Sequence, residues 1–325
     1  MKKLQLANVP TRIDPLKHSP QGTKLWIKRD DQTGTELSGN KIRKLEYALH
    51  EAKERSADVI VTCGGIQSNH ARTTAAACRL LDLDCILLLK EDSEERLTGN
   101  YFLDGLLGAE IIWLDEESYT NHLIEKKDEL FDALKRKGRT PYFMPVGASN
   151  GIGTFGYYEA YGEILAQEKA LDVFFDAVVV TVGSGGTYAG LCFANQEQEI
   201  QKRIIGIPIL KDAAWFEDVV RDLHEEFLVY HPEAAPFDPS SVLLIDGFTG
   251  PGYAKNTPED LAFIKRFAGD EGIVLDPVYT GKAMRGLFSS LETGHPALQD
   301  AKNILFIHTG GLLGIFGKED RFTLS

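Results

Sequence analysis

The sequence predicts an α/β protein whose mostly parallel sheets are covered by helices, and three observations carry that prediction. The strands read as continuous apolar runs, as in Val59-Ile60-Val61-Thr62-Cys63 and Cys85-Ile86-Leu87-Leu88-Leu89, the pattern of strands buried on both faces. Segments with helical spacing separate them, so strand and helix alternate. Glycine-rich turns lie where strands hand over to helices, the edge at which parallel sheets bind ligands.

Taken in order, residues 1–22 read as an irregular arm with Pro10, Pro15 and Pro20, followed by a short strand at 25–29. Ser38-Gly39-Asn40 then leads into a helix with Ile42, Leu45, Leu49 and Ala52 at helical spacing, Ser38 or Asn40 serving as its N-cap. Strands follow at 59–63, 85–89 and 110–114, with helices at 71–81, 100–107 and 124–137, and 142–144 closes this block. The glycine-rich stretch 147–153 reads as a hinge to a second α/β unit. That unit has helices at 157–170, 188–196, 216–228 and 259–268 and from Lys282 onward, and strands at 177–182, 204–208 and 304–307, with 242–245 and 274–277 as further extended segments.

Composition narrows the function classes. At 325 residues, 43% hydrophobic and 26% charged, the chain has the make-up of a soluble globular protein with a sizeable core. A net charge of -13 argues against a nucleic-acid or anionic-membrane partner, because nothing offsets phosphate repulsion. Cys63, Cys78, Cys85 and Cys192 have neither a C-x-x-C pair nor zinc spacing, which suits small buried hydrophobes in a reducing cytosol, with no metal. The start Met1-Lys2-Lys3-Leu4-Gln5 lacks an apolar signal region and no stretch is long and apolar enough to span a bilayer, so the expected location is cytoplasmic.

Chemistry concentrates at one lysine and four junctions. Lys41 falls in a first helical turn: alone it reads as a solvated surface lysine, but where the helix dipole and burial both disfavour an ammonium it meets the condition for an amine that forms a Schiff base. The first junction, Gly64-Gly65-Ile66-Gln67-Ser68-Asn69-His70, is either an ordinary cap on a glycine turn or an anion site suited to a carboxylate. The second, Gly183-Ser184-Gly185-Gly186-Thr187, reads as a phosphate cradle, with a plain glycine turn as the alternative. It fits neither the dinucleotide nor the Walker pattern, which points to a small phosphorylated cofactor. The third, 276–282, carries Tyr279, with Tyr253 in a similar setting at 250–253; each is a candidate proton carrier or stacking ring. The fourth, Ile307-His308-Thr309-Gly310-Gly311, offers Thr309 as a hydrogen-bonding partner.

With these in place, the sequence resembles the fold-type II pyridoxal-phosphate enzymes, and within them the D-cysteine desulfhydrase and 1-aminocyclopropane-1-carboxylate (ACC) deaminase family. The segments that carry the resemblance are I-K-R-D-D (27–31), S-G-N-K-I-R-K-L-E (38–46), G-G-I-Q-S-N-H-A-R (64–72), P-V-G-A-S-N-G-I-G-T-F-G-Y (145–157), V-G-S-G-G-T-Y-A-G (182–190), L-D-P-V-Y-T-G-K-A (275–283) and F-I-H-T-G-G (306–311). The resemblance implies a homodimer of two-domain subunits, residues 1–46 and 153–325 forming a larger cofactor-binding domain and 47–152 a smaller α/β domain inserted in it. It implies pyridoxal 5'-phosphate held on Lys41, which also moves a proton at the substrate carbon. Lys44 is then a phosphate partner, Asn69 the ligand of the pyridoxal 3-oxygen, and Ser68 a holder of the substrate carboxylate. Gly183, Ser184, Gly185, Gly186 and Thr187 form the phosphate loop, Tyr253 and Tyr279 are the active-site tyrosines, and Thr309 lies near the pyridine nitrogen.

Two departures bear on the substrate. Thr280 follows Tyr279 where ACC deaminases have glutamate, and His70 follows Ser68-Asn69 where they usually have glutamine. Both residues are therefore candidate substrate-binding positions. They favour α,β-elimination from D-cysteine, giving pyruvate, ammonia and hydrogen sulfide. L-cysteate sulfo-lyase and ACC deaminase activity are the alternatives.

Overall fold

The computed structural model describes residues 1–20, 22–91 and 96–323. The chain opens with β1 (Ile13–Pro15), β2 (Lys24–Lys28) and α1 (Lys41–Glu54). The next block is β3 (Val59–Gly65), α2 (Asn69–Leu80), β4 (Asp84–Lys90), α3 (Gly99–Leu106), β5 (Glu110–Leu114), α4 (Glu116–Asn121), α5 (Leu123–Arg136) and β6 (Pro141–Met144). The remainder is α6 (Gly151–Leu171), β7 (Ala177–Val182), α7 (Gly186–Gln196), β8 (Arg203–Pro208), α8 (Ala213–Leu228), β9 (Leu243–Leu244), α9 (Pro258–Glu271), α10 (Thr280–Glu292) and β10 (Asn303–Ile307).

These strands form two sheets. Among the described residues, one has the order β1-β2-β10-β7-β8-β9 and the other β5-β4-β3-β6. Every pairing is parallel except β1 with β2. Strand β7 is buried at every position, as its run of valines requires. One apolar core is shared by the two sheets: Ile60, Leu87 and Leu89 of the smaller sheet belong to it with Leu45 and Leu49 of α1, Tyr157 and Ile164 of α6, and Val178, Val180 and Leu305 of the larger sheet. In the larger sheet Ile307 is in register with Lys28, and with Val180 two residues before the end of β7. The loops that leave β10 and β7 therefore emerge at one edge.

Four expectations need correction. The arm at 1–22 contains β1, which lies antiparallel to β2, and Leu6 and Ala7 donate their N–H groups to Glu46 Oε1 at 2.7 Å each. The stretch 147–153 is not a free hinge: Asn150 caps α6, its side chain accepting from Gly153 N at 2.9 Å, a cap worth about 1 kcal/mol. Helix α4 was not expected. Residues 274–277 form no strand, because the Asp276 side chain folds back onto the residues that follow. All four cysteines are buried and unpaired, and no helix among the described residues is long and apolar enough to cross a membrane.

Candidate active site

The start of α1 is brought to the edge of the larger sheet by two glycines. A side chain on Gly39 (φ +106°) would lie 2.8 Å from the Thr309 carbonyl, and one on Gly310 (φ +94°) 2.7 Å from Gly39 Cα. Only glycine permits that crossing, and Asn40 N donates to Thr309 O across it at 3.1 Å. Lys41 consequently faces a cleft of about 390 Å³ whose walls come from both sheets. Ser68, Asn69 and His70 line it from the smaller sheet. Gly183, Ser184, Gly185, Thr187 and Thr309 line it from the larger one, and Tyr253 and Tyr279 complete it.

Lys41 Nζ donates to Asn40 Oδ1 at 2.8 Å, and Asn40 Nδ2 donates to Thr187 Oγ1 at 2.9 Å. Asn40 thus spends its side chain on the site, not on capping α1. Burial lowers the Lys41 amine to about 8; the Asp276 carboxylate opposes this and the Arg72 guanidinium adds to it. An appreciable fraction is therefore neutral near pH 8, as a nucleophilic amine and base must be. The Tyr279 ring centre lies 5.9 Å from Lys41 Nζ, and the Tyr253 and Tyr279 hydroxyls are 2.5 Å apart. Burial, then Tyr253, hold the Tyr279 phenol well above its ordinary pKa, so it stays protonated as a donor.

Asp276 sets the tyrosine. Its Oδ2 accepts from Val278 N and Tyr279 N at 2.9 Å each, and its Oδ1 accepts from Thr280 N at 2.8 Å and Thr280 Oγ1 at 2.7 Å. Thr280 is therefore turned into this carboxylate and does not line the cleft, which corrects its expected contact with substrate. Lys44 and Gly186 also stand behind the wall. Lys44 Nζ donates to Ser149 Oγ at 3.2 Å, and that oxygen accepts from Gly186 N at 3.1 Å and lies 2.7 Å from Ser184 Oγ. His70 lines the cleft, but its Nε2 is engaged with Thr62 Oγ1 at 2.8 Å, and burial with the Lys41 and Lys44 charges keeps the ring neutral. Sequence reasoning missed Ser149, Asp276, Tyr119 and Thr181. Of these, only Asp276, an Asx residue before Pro277 and Tyr279, carried a turn signal that could have found it.

Comparisons with known proteins show the family. Residues 4–310 match the family model described as pyridoxal-phosphate dependent enzyme. The chain belongs to that family. Its relatives include the bifunctional D-cysteine desulfhydrase/1-aminocyclopropane-1-carboxylate deaminase of Arabidopsis thaliana mitochondria, 41% identical over 97% of this chain and 80% of that protein. D-cysteine desulfhydrase of Yersinia enterocolitica is 40% identical over 91% of this chain and 88% of its own. The crystal structure of an ACC deaminase homologue superposes with a TM-score of 0.88 at 38% identity, covering 98% of this chain and 94% of that one.

The cleft fits the family's cofactor. Helix α7 starts from Gly185 (φ +89°) with no side chain capping it, so first-turn amides are left for an anion. Behind that start, burial first and then the Lys41 charge hold the Lys44 ammonium well below its ordinary pKa, a cost that a phosphate relieves. Thr181 Oγ1 lies buried beside the cradle with no hydrogen-bond partner among the described residues, and Thr181 lines the cleft. This enzyme's Gly183–Thr187 loop, backed by Lys44 through Ser149, is thus suited to the phosphate of pyridoxal 5'-phosphate.

Proposed function

We propose that the enzyme is a carbon–sulfur lyase that eliminates the β-substituent of an amino acid, with D-cysteine as its main substrate: D-cysteine and water give pyruvate, ammonia and hydrogen sulfide. The observation that carries the reading is the pair of hydrogen-bonded tyrosine hydroxyls set across from a lysine whose pKa is lowered to about 8. Elimination needs a base at the α-hydrogen and an acid at the departing sulfur, and these groups supply both. Bound pyridoxal phosphate supplies the electron sink that makes the α-hydrogen acidic.

The chain's own residues do the rest. Lys41 Nζ would hold the cofactor, and as a free amine Lys41 would take the substrate's α-proton. Ser68 and the first amides of α2 hold the substrate carboxylate, with its hydroxyl proton directed into the cleft while its oxygen accepts from Ala71 N. Asn69 would donate to the pyridoxal 3-oxygen, and Thr309 would partner the pyridine nitrogen; both line the cleft. Tyr279, relayed by Tyr253, protonates the leaving sulfur. His70 presents a neutral ring to the cleft, and Thr280 braces Tyr279 through Asp276.

Relatives are named both for D-cysteine desulfhydration and for ACC deamination; D-cysteine is preferred because a thiol leaves readily. L-Cysteate follows the same logic with sulfite leaving. ACC must open a ring with no such group, and Thr280, spent on Asp276, provides no charged partner for the pyridine nitrogen. We also read the protein as a cytoplasmic homodimer, each subunit dividing into 1–46 with 153–325 and an inserted 47–152. The separation of the strands into two sheets supports that division.

Side-by-side kcat/KM values for D-cysteine, L-cysteine, L-cysteate and ACC test the substrate, and efficient ACC turnover sinks the choice. Tyr279→Phe should slow turnover by about 10²–10⁴-fold with cofactor affinity nearly unchanged. Unaltered turnover would move the acid role to Tyr253 or water.

A further inference from the structure

Asn69 stands at the cleft with an amide that could present either its oxygen or its NH2. The neighbours decide which. Asn100, at the start of α3 and fully buried, donates through Nδ2 to Asn69 Oδ1 at 2.9 Å and to the Gln67 carbonyl at 2.9 Å, while its Oδ1 accepts from Arg72 Nε at 3.3 Å. A carbonyl can only accept and a guanidinium can only donate. Both ends of the Asn100 amide are therefore fixed by partners of single polarity. Its own N–H is used too, donating to Gln67 Oε1 at 2.9 Å, and Gln67 Nε2 donates to the Thr98 carbonyl at 2.9 Å. The ring of bonds closes with Asn69 Oδ1 turned away from the cleft.

We propose that Asn100 is a positioning residue that orients the Asn69 amide, so that its NH2 end faces the cofactor's 3-oxygen as a donor. The proposal rests on the reading of Asn69 given above. Arg72 extends the arrangement: besides Asn100 it donates to the carbonyls of Glu36 and of Ser38, the latter at 3.0 Å, just before Lys41. One buried guanidinium thus registers the lysine loop and the Asn69 amide against each other.

Asn100→Asp keeps the shape and the acceptor toward Arg72 but removes the donor. Oxygens then face the Gln67 carbonyl and Asn69, and Asn69 answers by turning its NH2 toward position 100 and its oxygen into the cleft. The measurements are pyridoxal-phosphate affinity by equilibrium dialysis and the pH midpoint of the holoenzyme's visible absorbance. Affinity should fall about ten- to a hundredfold. The midpoint should rise, because a 3-oxygen without its donor holds more tightly the proton it shares with the Lys41 nitrogen. Asn69→Ala should do the same, and the combined variant should go no further, as coupled partners require. If Asn69→Ala moves the midpoint and Asn100→Asp only lowers the melting temperature, the proposal is overturned and the reading of Asn69 stands. If Asn69→Ala leaves the midpoint unmoved, both fall. Should the buried carboxylate prevent folding, Asn100→Ala decides, since Arg72 keeps its two carbonyls: a smaller rise supports the proposal, and none overturns it.

Discussion

The junctions 64–70 and 183–187 are alike in sequence, glycines between a buried strand and a helix, yet their helices begin in opposite ways. At the first, Ser68 caps α2, its oxygen accepting from Ala71 N at 3.1 Å, so the helix satisfies part of its own start. What remains for a ligand is a hydroxyl proton, the Asn69 side chain and the first amides of α2, those of Asn69 and His70. At the second, the cap position is Gly185, which has no side chain to offer. There the amides themselves are left to the ligand, with Ser149 reaching in only to Gly186 N. The lesson is that an uncapped glycine loop offers its anion backbone amides alone, while a capped one offers the cap's hydroxyl as well. The number of glycines does not decide it.

The largest expected effect separates the two directly. At Gly185 the φ of +89° disfavours any side chain, and a Cβ would lie 2.6 Å from Val219 Cγ1. Gly185→Asp also sets a carboxylate against the phosphate, and cofactor affinity should fall about a hundredfold or more. Nothing lies within 4 Å of a Cβ built on Gly65. Gly65→Asp should leave cofactor affinity within about threefold and raise KM for an anionic substrate through like-charge repulsion. Equal losses of affinity in the two variants, measured by dialysis, would break the comparison and put the phosphate elsewhere.

How far the sequence reached follows from the same contrast. Strands buried on both faces leave unbroken apolar runs, so β3 and β7 are legible, and so are the glycine junctions after them. Helix α4 is not: none of its residues is buried, so it has no apolar period to read, and it depends on Asp115 capping Ser118 N at 2.7 Å. The β1 strand is three residues ending in proline, too short to stand out from an arm. Residue type placed Thr280 beside Tyr279, but spacing cannot say which way a hydroxyl turns. Asp276, four residues back, decides that. Ser149 was read as part of a hinge for the same reason, because its partners Lys44 and Ser184 are distant in sequence.

The serines of the two junctions sharpen the contrast with a smaller effect. Ser68→Ala removes a helix cap and a carboxylate donor together. It should cost about 1 kcal/mol of stability and raise KM about tenfold. Ser184→Ala removes no cap, since Ser184 bonds Ser149. Its stability should stay within about 0.5 kcal/mol, and its cost should appear as weaker cofactor binding. Thermal melts of the cofactor-free variants alongside dialysis of each provide the check, and a cap-sized loss of stability in Ser184→Ala would contradict the assignment.

The smallest effect concerns what the open junction costs before the cofactor arrives. Two lysines are buried beside it: burial, opposed by the Asp276 carboxylate, lowers Lys41 from 10.5 to about 8, and burial also holds Lys44 well below its ordinary value. A lysine with a lowered pKa binds its proton less tightly folded than unfolded. Below pH 8 both states hold the proton, and the folded chain bears the full penalty of a buried charge. Between about 8 and 10.5 the folded state has released it while the unfolded state has not, so this contribution to stability rises with pH across that window. Lys41→Met removes the group. The cofactor-free variant should therefore melt above the cofactor-free parent at pH 7, with the gap closing as pH climbs through the window. The capped junction supplies the control: Ser68→Ala should lower the melting temperature by a similar amount at every pH in the range, because no proton is involved. A gap for Lys41→Met that does not change with pH would mean that Lys41 is not the desolvated amine on which the elimination depends.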